Sequence, residues 1–527
     1  MHIVEATVAL VVLATAVATL AERLRTPAPS LLVLVGLGVG YLPGIPATHI
    51  SPQLVTLGVL PPLLFAAAQQ ISLIDLAAVW RPVAVLAVGL VAVTAAAVAL
   101  VTHLLEPSIG VAVAFTLGAI LASTDPVAVT ALSRRLHLPE RLQTLVQSES
   151  LFNDATSLVL FQLAVAAVVS GGMSVADASW RFVRLGGGGA LLGVAVGLLA
   201  AQLLHRAVEP TLQAAIALVT PYAAAVAAEA AHVSSVTAVI VTGLMLARRR
   251  ARSRRPSGRL VASGVYDTVV FVLENAIFAV IGLELATFAR ELPDSDRSRA
   301  VWLIVVVTLT LLAVRALALA TAVVVPRLRR RSSGPTDQQS ASTWPVAAVV
   351  TWAGARGVIP LAAALSIPLT TDSGEQFPHR PLLLVVSTGA VVISLLVQGT
   401  TLAPLVRRLG VVGDPHQVTA QVEHARYALA SAALSRLEET ADRLGVDDDA
   451  VRRIRVELER RVDTARAALS SDGHRDSGGD RDDELRSRLL DVEADELARL
   501  RSSGEISGQV FRDLQRQLDL ESARLRR

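Results

Sequence analysis

Thirteen stretches of this 527-residue chain are apolar for about the length needed to cross ~30 Å of hydrocarbon, and that repetition constrains the fold more than any motif. They lie near 3–22, 28–45, 52–74, 80–104, 108–132, 142–170, 186–206, 211–231, 234–248, 264–290, 300–326, 344–368 and 381–405. With 53% hydrophobic and only 18% charged residues, the composition excludes a soluble globular protein. The expectation is an all-α polytopic membrane protein embedded in the lipid bilayer. Merging 211–231 with 234–248 would lower the number of spans.

Composition narrows the chemistry further. No cysteine is present, which excludes disulfides, thiolate metal sites and thiol nucleophiles. Lysine is absent too, so every basic residue other than histidine is arginine. The net charge of +3 comes from loop arginines and implies no nucleic-acid partner. Residues 3–20 lack a basic leader and a small-residue cleavage site, and Glu5 sits within them, so they read as a retained first helix and not a signal peptide. There is no Walker loop, H-E-x-x-H pair or G-x-S-x-G elbow, and the ten histidines show no ligand spacing. The reading is of a protein that is not an enzyme and carries no cofactor.

Arginine placement predicts the orientation. With the N-terminus outside, the inner loops hold Arg23, Arg25, Arg81, Arg134, Arg135, Arg141, Arg206, the cluster from Arg248 to Arg259, Arg327, Arg329, Arg330, Arg331, Arg407 and Arg408. The outer loops hold only Arg181, Arg184, Arg290, Arg297, Arg299 and Arg380. Such a bias predicts an odd number of spans and a cytoplasmic C-terminus in the cell membrane. After residue 411 the composition switches to charged and helix-forming, dividing the chain into a membrane domain, 1–411, and a soluble helical tail, 412–527. Within the tail, Ser470 to Asp482 reads as a flexible linker.

Three stretches do not suit plain membrane helices. The first, Glu149 to Ser157, sets Glu149 and Asn153, Ser150 and Asp154, and Ser150 and Ser157 on one stripe of a lipid-length helix. A charge at bilayer depth costs at least about 2.5–3.5 kcal/mol, so these acids face a partner or a water-filled path. That leaves a structural polar cluster or an ion and proton site. The second, Ser123-Thr124-Asp125-Pro126, sets an acid before a mid-span proline, which interrupts the helix at Thr124 and Asp125 and frees carbonyls for a hard cation. The third, Gly354-Ala355-Arg356-Gly357-Val358-Ile359-Pro360, repeats the break with the opposite sign, and Arg356 there either neutralises carbonyl ends or pairs with a buried carboxylate. Breaks of opposite charge in both halves of a chain point to a transporter site at a repeat interface. Glu274, Asn275 and Arg315 read as structural polar residues pairing helices internally, and Glu229 and His232 as solvated groups at a helix end.

Taken together, Ser123 to Val129, Glu149 to Asp154 and Gly354 to Gly357 resemble the electroneutral branch of the sodium/proton antiporters, the family of NhaP-type proteins and animal sodium/hydrogen exchangers. The resemblance covers roughly residues 1–410, and the tail, with Gly504 to Ser507 and Leu518 to Glu521, resembles the ending of a bacterial subgroup. It implies a thirteen-helix inverted-repeat fold, crossed discontinuous helices at 108–132 and 344–368, and a homodimer. By the same resemblance Asp154 is the carboxylate that binds cation and proton in turn, with Asn153 its structural neighbour. Thr124, through its backbone, and Ser150 are further cation ligands, Asp125 compensates broken helix ends, and Glu149 with Arg356 forms a buried ion pair. One departure stands out: Pro61-Pro62-Leu63-Leu64-Phe65 is followed by Ala66, where many relatives have glutamate. The implied activity is electroneutral one-for-one exchange of Na⁺, or K⁺ or Li⁺, for H⁺. A cation channel, or a membrane ion or pH sensor signalling through the tail, is the alternative.

Overall fold

The computed structural model describes residues 12–17, 19–21, 23, 28–42, 51–71, 73–125, 140–172, 174–250, 256–292, 294–330, 343–411, 415–470 and five positions between 492 and 499. Outside these residues lie Arg25, the segment from Pro126 to Val129, Arg134, Arg135, Arg252, Arg254, Arg255, Arg331, the linker beyond Ser470 and the tail motifs after residue 500. The chain divides into two compact units, Met1–Gly413 and Asp414–Arg527.

Each of the thirteen apolar stretches carries helix. Seven described helices are long and apolar enough to cross a membrane, and this is a multi-pass membrane protein: Val79–Leu105, Leu142–Val169, Ala176–Arg206, Pro210–Ala230, Val261–Arg290, Asp296–Thr321 and Arg380–Leu409. Shorter apolar helices occupy Val12–Ala21, Leu31–Gly40, Leu54–Gln70, Val111–Ala122 and Ser235–Arg248. Among the described residues the only non-helical pairing is an isolated bridge between Thr370 and Gln376. The spans 211–231 and 234–248 stay separate, because the chain turns between them with His232 in the left-handed region, φ 53°.

The first helices are α1 (Ala28–Gly40), α2 (Leu60–Gln70), α3 (Leu73–Ala84), α4 (Val91–Leu105), α5 (Val111–Ala122) and α6 (Glu140–Val169). Proline shapes two of them. Pro61 and Pro62 withhold two N–H donors at the start of α2, and the turn before it, Leu54–Val59, is π-helical. Pro82 near the end of α3 likewise precedes a π-helical turn, Val85–Leu90. The chain continues through α7 (Val175–Arg206), α8 (Pro210–Ala230), α9 (Ser235–Arg250), α10 (Pro256–Glu291) and α11 (Asp294–Arg330). The membrane unit closes with α12 (Thr343–Trp352), α13 (Val358–Leu365) and α14 (Arg380–Leu409).

Lipid is as apolar as a leucine side chain, so close backbone approach at small residues holds such helices together. The α1–α10 contact shows it: Gly36 and Gly282 face each other, and a Cβ on either would run into the other helix's backbone. Around the core formed by Phe65, Ile120, Leu121 and Leu361, α5 packs between α4 and α6, with α13 and α14 also against it. This arrangement brings both helix breaks to one place.

The second unit is described as three helices, α15 (Pro415–Ser435), α16 (Leu437–Leu444) and α17 (Asp448–Ser470). Its core is small, with Ala430, Ala441, Val462 and Ala465 buried. Exposed ion pairs, such as Arg455 with Glu438, cover the surface, and each contributes little in water.

Candidate functional site

The polar stripe of α6 docks on the broken end of α5. Glu149, Ser150, Asn153, Asp154 and Ser157 are all buried. Ser157 Oγ donates to the Ala119 carbonyl at 2.6 Å, Ser123 Oγ donates to Asp154 Oδ1, and Ser150 Oγ donates to the Thr124 carbonyl. Asn153 Nδ2 donates to Thr124 Oγ1 at 3.0 Å and to Glu149 Oε1 at 3.2 Å. The helical spacing that put these residues on one stripe therefore brings each of them to a donor or acceptor near residues 119–124.

Both helix breaks are present. α5 stops at Ala122 and the chain is extended at Ser123, as a residue two ahead of the pre-proline position allows. α12 stops at Trp352, and α13 restarts at Val358 after Gly357. The breaks meet directly: the Asp125 amide donates to the Ala355 carbonyl at 2.7 Å. Each break supplies the charge the other needs. Arg356 Nη1 donates to the carbonyls of Ala122 (3.2 Å) and Ser123 (2.7 Å), neutralising the negative C-terminal end of α5. The Asp125 carboxylate rests on Gly357, the N-cap of α13, at that helix's positive end. The sequence suggested instead that Asp125 serves the half-helix following its own proline, which lies outside the described residues. Glycine at 357 is required by space, since its φ of −126° suits any residue but a Cβ would occupy the Asp125 carboxylate. Gly357→Ala should lower the thermal unfolding temperature in detergent, by the equivalent of at least the 1–3 kcal/mol typical of overpacking. An unchanged temperature would show that the two breaks are not in contact.

One pairing differs from expectation. Glu149 is bonded by Arg315, not Arg356: Arg315 Nη1 lies 2.7 Å from Glu149 Oε1, with both side chains buried. Arg315 Nε also donates to the Val350 carbonyl near the end of α12 at 3.1 Å, and its guanidinium lies where a Cβ on Gly354 would be. The reason is local demand for charge. The exposed carbonyls ending α5 take the Arg356 guanidinium, which leaves the arginine of α11 for Glu149. The second pairing read from the sequence, between Glu274 and Arg315, is therefore not made either.

These elements enclose a cavity of about 380 Å³ whose wall includes Ser123, Thr124, Asp125, Ser150, Asp154 and Glu274. Carboxylate, hydroxyl and carbonyl oxygens converge there, the donor set that suits a hard monovalent cation. Ala66 lies on the same wall, so its missing carboxylate is missing from this cavity. Asp154 is 3% exposed. Glu229 and His232 are exposed near the α8–α9 turn, as a solvated helix end requires.

Two contributors were not read from the sequence as site residues. Ser123 is the donor to Asp154. Ser394 of α14 accepts from the Arg356 amide at 3.0 Å and donates to Gln398, holding the second break in place. The signal for the latter was a pair of polar residues four apart in an otherwise apolar span.

The family model described as "Sodium/hydrogen exchanger, transmembrane" matches residues 8–408. The chain belongs to the sodium/hydrogen exchanger family. Among relatives of this exchanger-family chain, an uncharacterized Na⁺/H⁺ exchanger of Mycobacterium tuberculosis is 33% identical over 530 residues, covering 99% of this chain and 96% of the relative. A sodium, potassium, lithium and rubidium/H⁺ antiporter of Bacillus pumilus is 29% identical over 425 residues, covering 78% of this chain and 62% of the relative. In fold, the family member is similar to the sodium proton antiporter MjNhaP1 of Methanocaldococcus jannaschii at pH 8. The TM-score is 0.61 at 18% identity, covering 77% of this chain and 98% of that one.

Proposed function

We propose that this family member exchanges Na⁺ for H⁺ across the cell membrane, with Asp154 holding either a proton or a partly dehydrated cation and only the loaded forms crossing. The observation that carries this reading is the placement of Asp154: a buried carboxylate on a cavity wall it shares with Ser150 and Thr124, where two broken helices cross. Competition for one carboxylate makes exchange obligatory. Ser150 Oγ and the Thr124 carbonyl supply further oxygens to the cation, while Asp125 and Arg356 neutralise the broken ends so that the site itself need not. Glu149 with Arg315 braces α6 against α11. K⁺ and Li⁺ suit the same oxygens, and the naming of both for the B. pumilus relative makes them worth testing. The N-terminus is placed outside and the tail in the cytoplasm by the arginine bias, the assembly is read as a homodimer, and the role as pH and cation homeostasis.

The test is cation-induced proton movement, followed with a pH-sensitive dye in proteoliposomes, on adding Na⁺, Li⁺ or K⁺. No proton movement with any of the three, from folded protein at several pH values, would overturn the exchange reading.

Asn153 determines the charge balance. An amide cannot ionise, so one carboxylate serves each cycle and membrane voltage does no work on the exchange. Asn153→Asp would lose both amide donations and set a second acid beside Glu149. Exchange by this variant is expected to respond to a clamped membrane potential, at about 2.3 kcal/mol per charge per 100 mV. Voltage-independent exchange in the variant would count against this role for Asn153.

A further inference from the structure

The wall of the cation cavity holds one acid that the exchange scheme leaves idle. Glu274 lies midway along α10 and lines the same cavity as Asp154 and Asp125. Its two companions are compensated by the protein: Asp125 by the N-terminus of α13, Asp154 by the Ser123 hydroxyl. The Glu274 carboxylate makes no hydrogen bond or ion pair with any described residue, and Arg315, the nearest arginine read as its partner, is taken by Glu149. No basic side chain lines the cavity among the described residues. A carboxylate at bilayer depth without a protein partner is retained at a cost of several kcal/mol unless something mobile compensates it. The cavity, at about 380 Å³, has room for roughly ten waters, enough to admit a cation with much of its hydration shell.

We propose that Glu274 is a second cation-binding carboxylate of this cavity, engaging the hydrated cation as it enters and setting the affinity with which the cation reaches Asp154. The inference rests on the exchange reading of the site. Asp154 binds the cation after partial dehydration, through direct oxygen ligands. Glu274, on the opposite set of helices, acts on the cation through its charge and through water. Because this carboxylate contributes charge and not scaffold contacts, a neutral isostere weakens binding and leaves turnover of the bound cation intact.

The experiment measures the full chain in two ways: Na⁺-dependent proton movement in proteoliposomes, and Na⁺-dependent thermal stabilisation in detergent at constant ionic strength with choline as the balancing cation. The proteins are wild type, Asp154→Asn, Glu274→Gln and Glu274→Asp. Expected for Glu274→Gln is a half-saturating Na⁺ concentration raised on the order of tenfold in both assays, as loss of one nearby unit charge implies, with the maximal exchange rate kept. Glu274→Asp should stay within about twofold of wild type, since it keeps the charge. Half-saturation unchanged in Glu274→Gln, with wild type active and Asp154→Asn inactive, overturns the inference and leaves the exchange reading standing. Equal loss of maximal rate in both Glu274 variants at unchanged half-saturation makes the residue structural and also overturns it. Wild type that moves no protons overturns the exchange reading instead, and the stabilisation midpoint then still decides whether Glu274 binds Na⁺.

Discussion

Replacing Asp154 with asparagine is expected to abolish cation-dependent proton movement for Na⁺, Li⁺ and K⁺ alike, at every pH at which wild type is active. The substitution is nearly isosteric, and the amide oxygen can still accept from Ser123, so the local fold should survive. What it removes is the single negative charge on which proton and cation compete. A neutral amide neither takes up a proton in this pH range nor offsets the lost hydration of a cation. Stability should stay near wild type or rise, because a buried carboxylate with one hydroxyl donor carries a desolvation cost that an amide avoids. The measurement is the dye assay with a thermal unfolding scan of the same preparation. Asp154→Asn that retains half of the wild-type exchange rate would remove this residue from the transport cycle, whatever the rest of the cavity does.

The second large effect is expected at the ion pair. Arg315→Gln leaves Glu149 buried at 1% exposure with only the Asn153 amide to compensate its charge. Removing one partner of a buried pair typically costs about 3–5 kcal/mol, because the remaining charge is uncompensated. Arg315→Gln should therefore unfold at markedly lower temperature than wild type, and Glu149→Gln/Arg315→Gln should recover much of the loss. Arg356→Gln tests the alternative partner. It strips donors from the Ala122 and Ser123 carbonyls but leaves Glu149 paired, so adding Glu149→Gln to it should not restore stability. Recovery in the Glu149/Arg356 double variant, and none in the Glu149/Arg315 one, would reassign the pair.

That pair also marks how far the sequence could be read. The stripe from Glu149 to Ser157 and the two breaks follow from local rules: helical spacing puts acids and hydroxyls on one face, and proline or paired glycines stop a helix where the next N–H or Cβ has no place. Thirteen apolar stretches follow from the length of a bilayer. Each is a property of a short segment, and each reappears in the structure, within the residues described. The roles of Asp125 and Arg356 as compensating charges were likewise open in the sequence, since a broken helix needs a charge at each free end.

Which end each charge serves is a different kind of fact. Asp125 rests on the N-terminus of α13 rather than the helix after its own proline, and Arg356 covers the carbonyls of α5, 233 residues away in the case of Ser123. Arg315 reaches Glu149 across 166 residues, and Glu274 turns out to share a cavity with Asp154 instead of pairing with Arg315. The sequence by itself determined the membrane class, the breaks and the acid that faces inward, because bilayer thickness, helical period and backbone donors act within a few residues of where they are written. Only the tertiary structure decided the partners of the charges, because two arginines offer the same guanidinium, and helix packing alone brings one of them within reach of a given carboxylate.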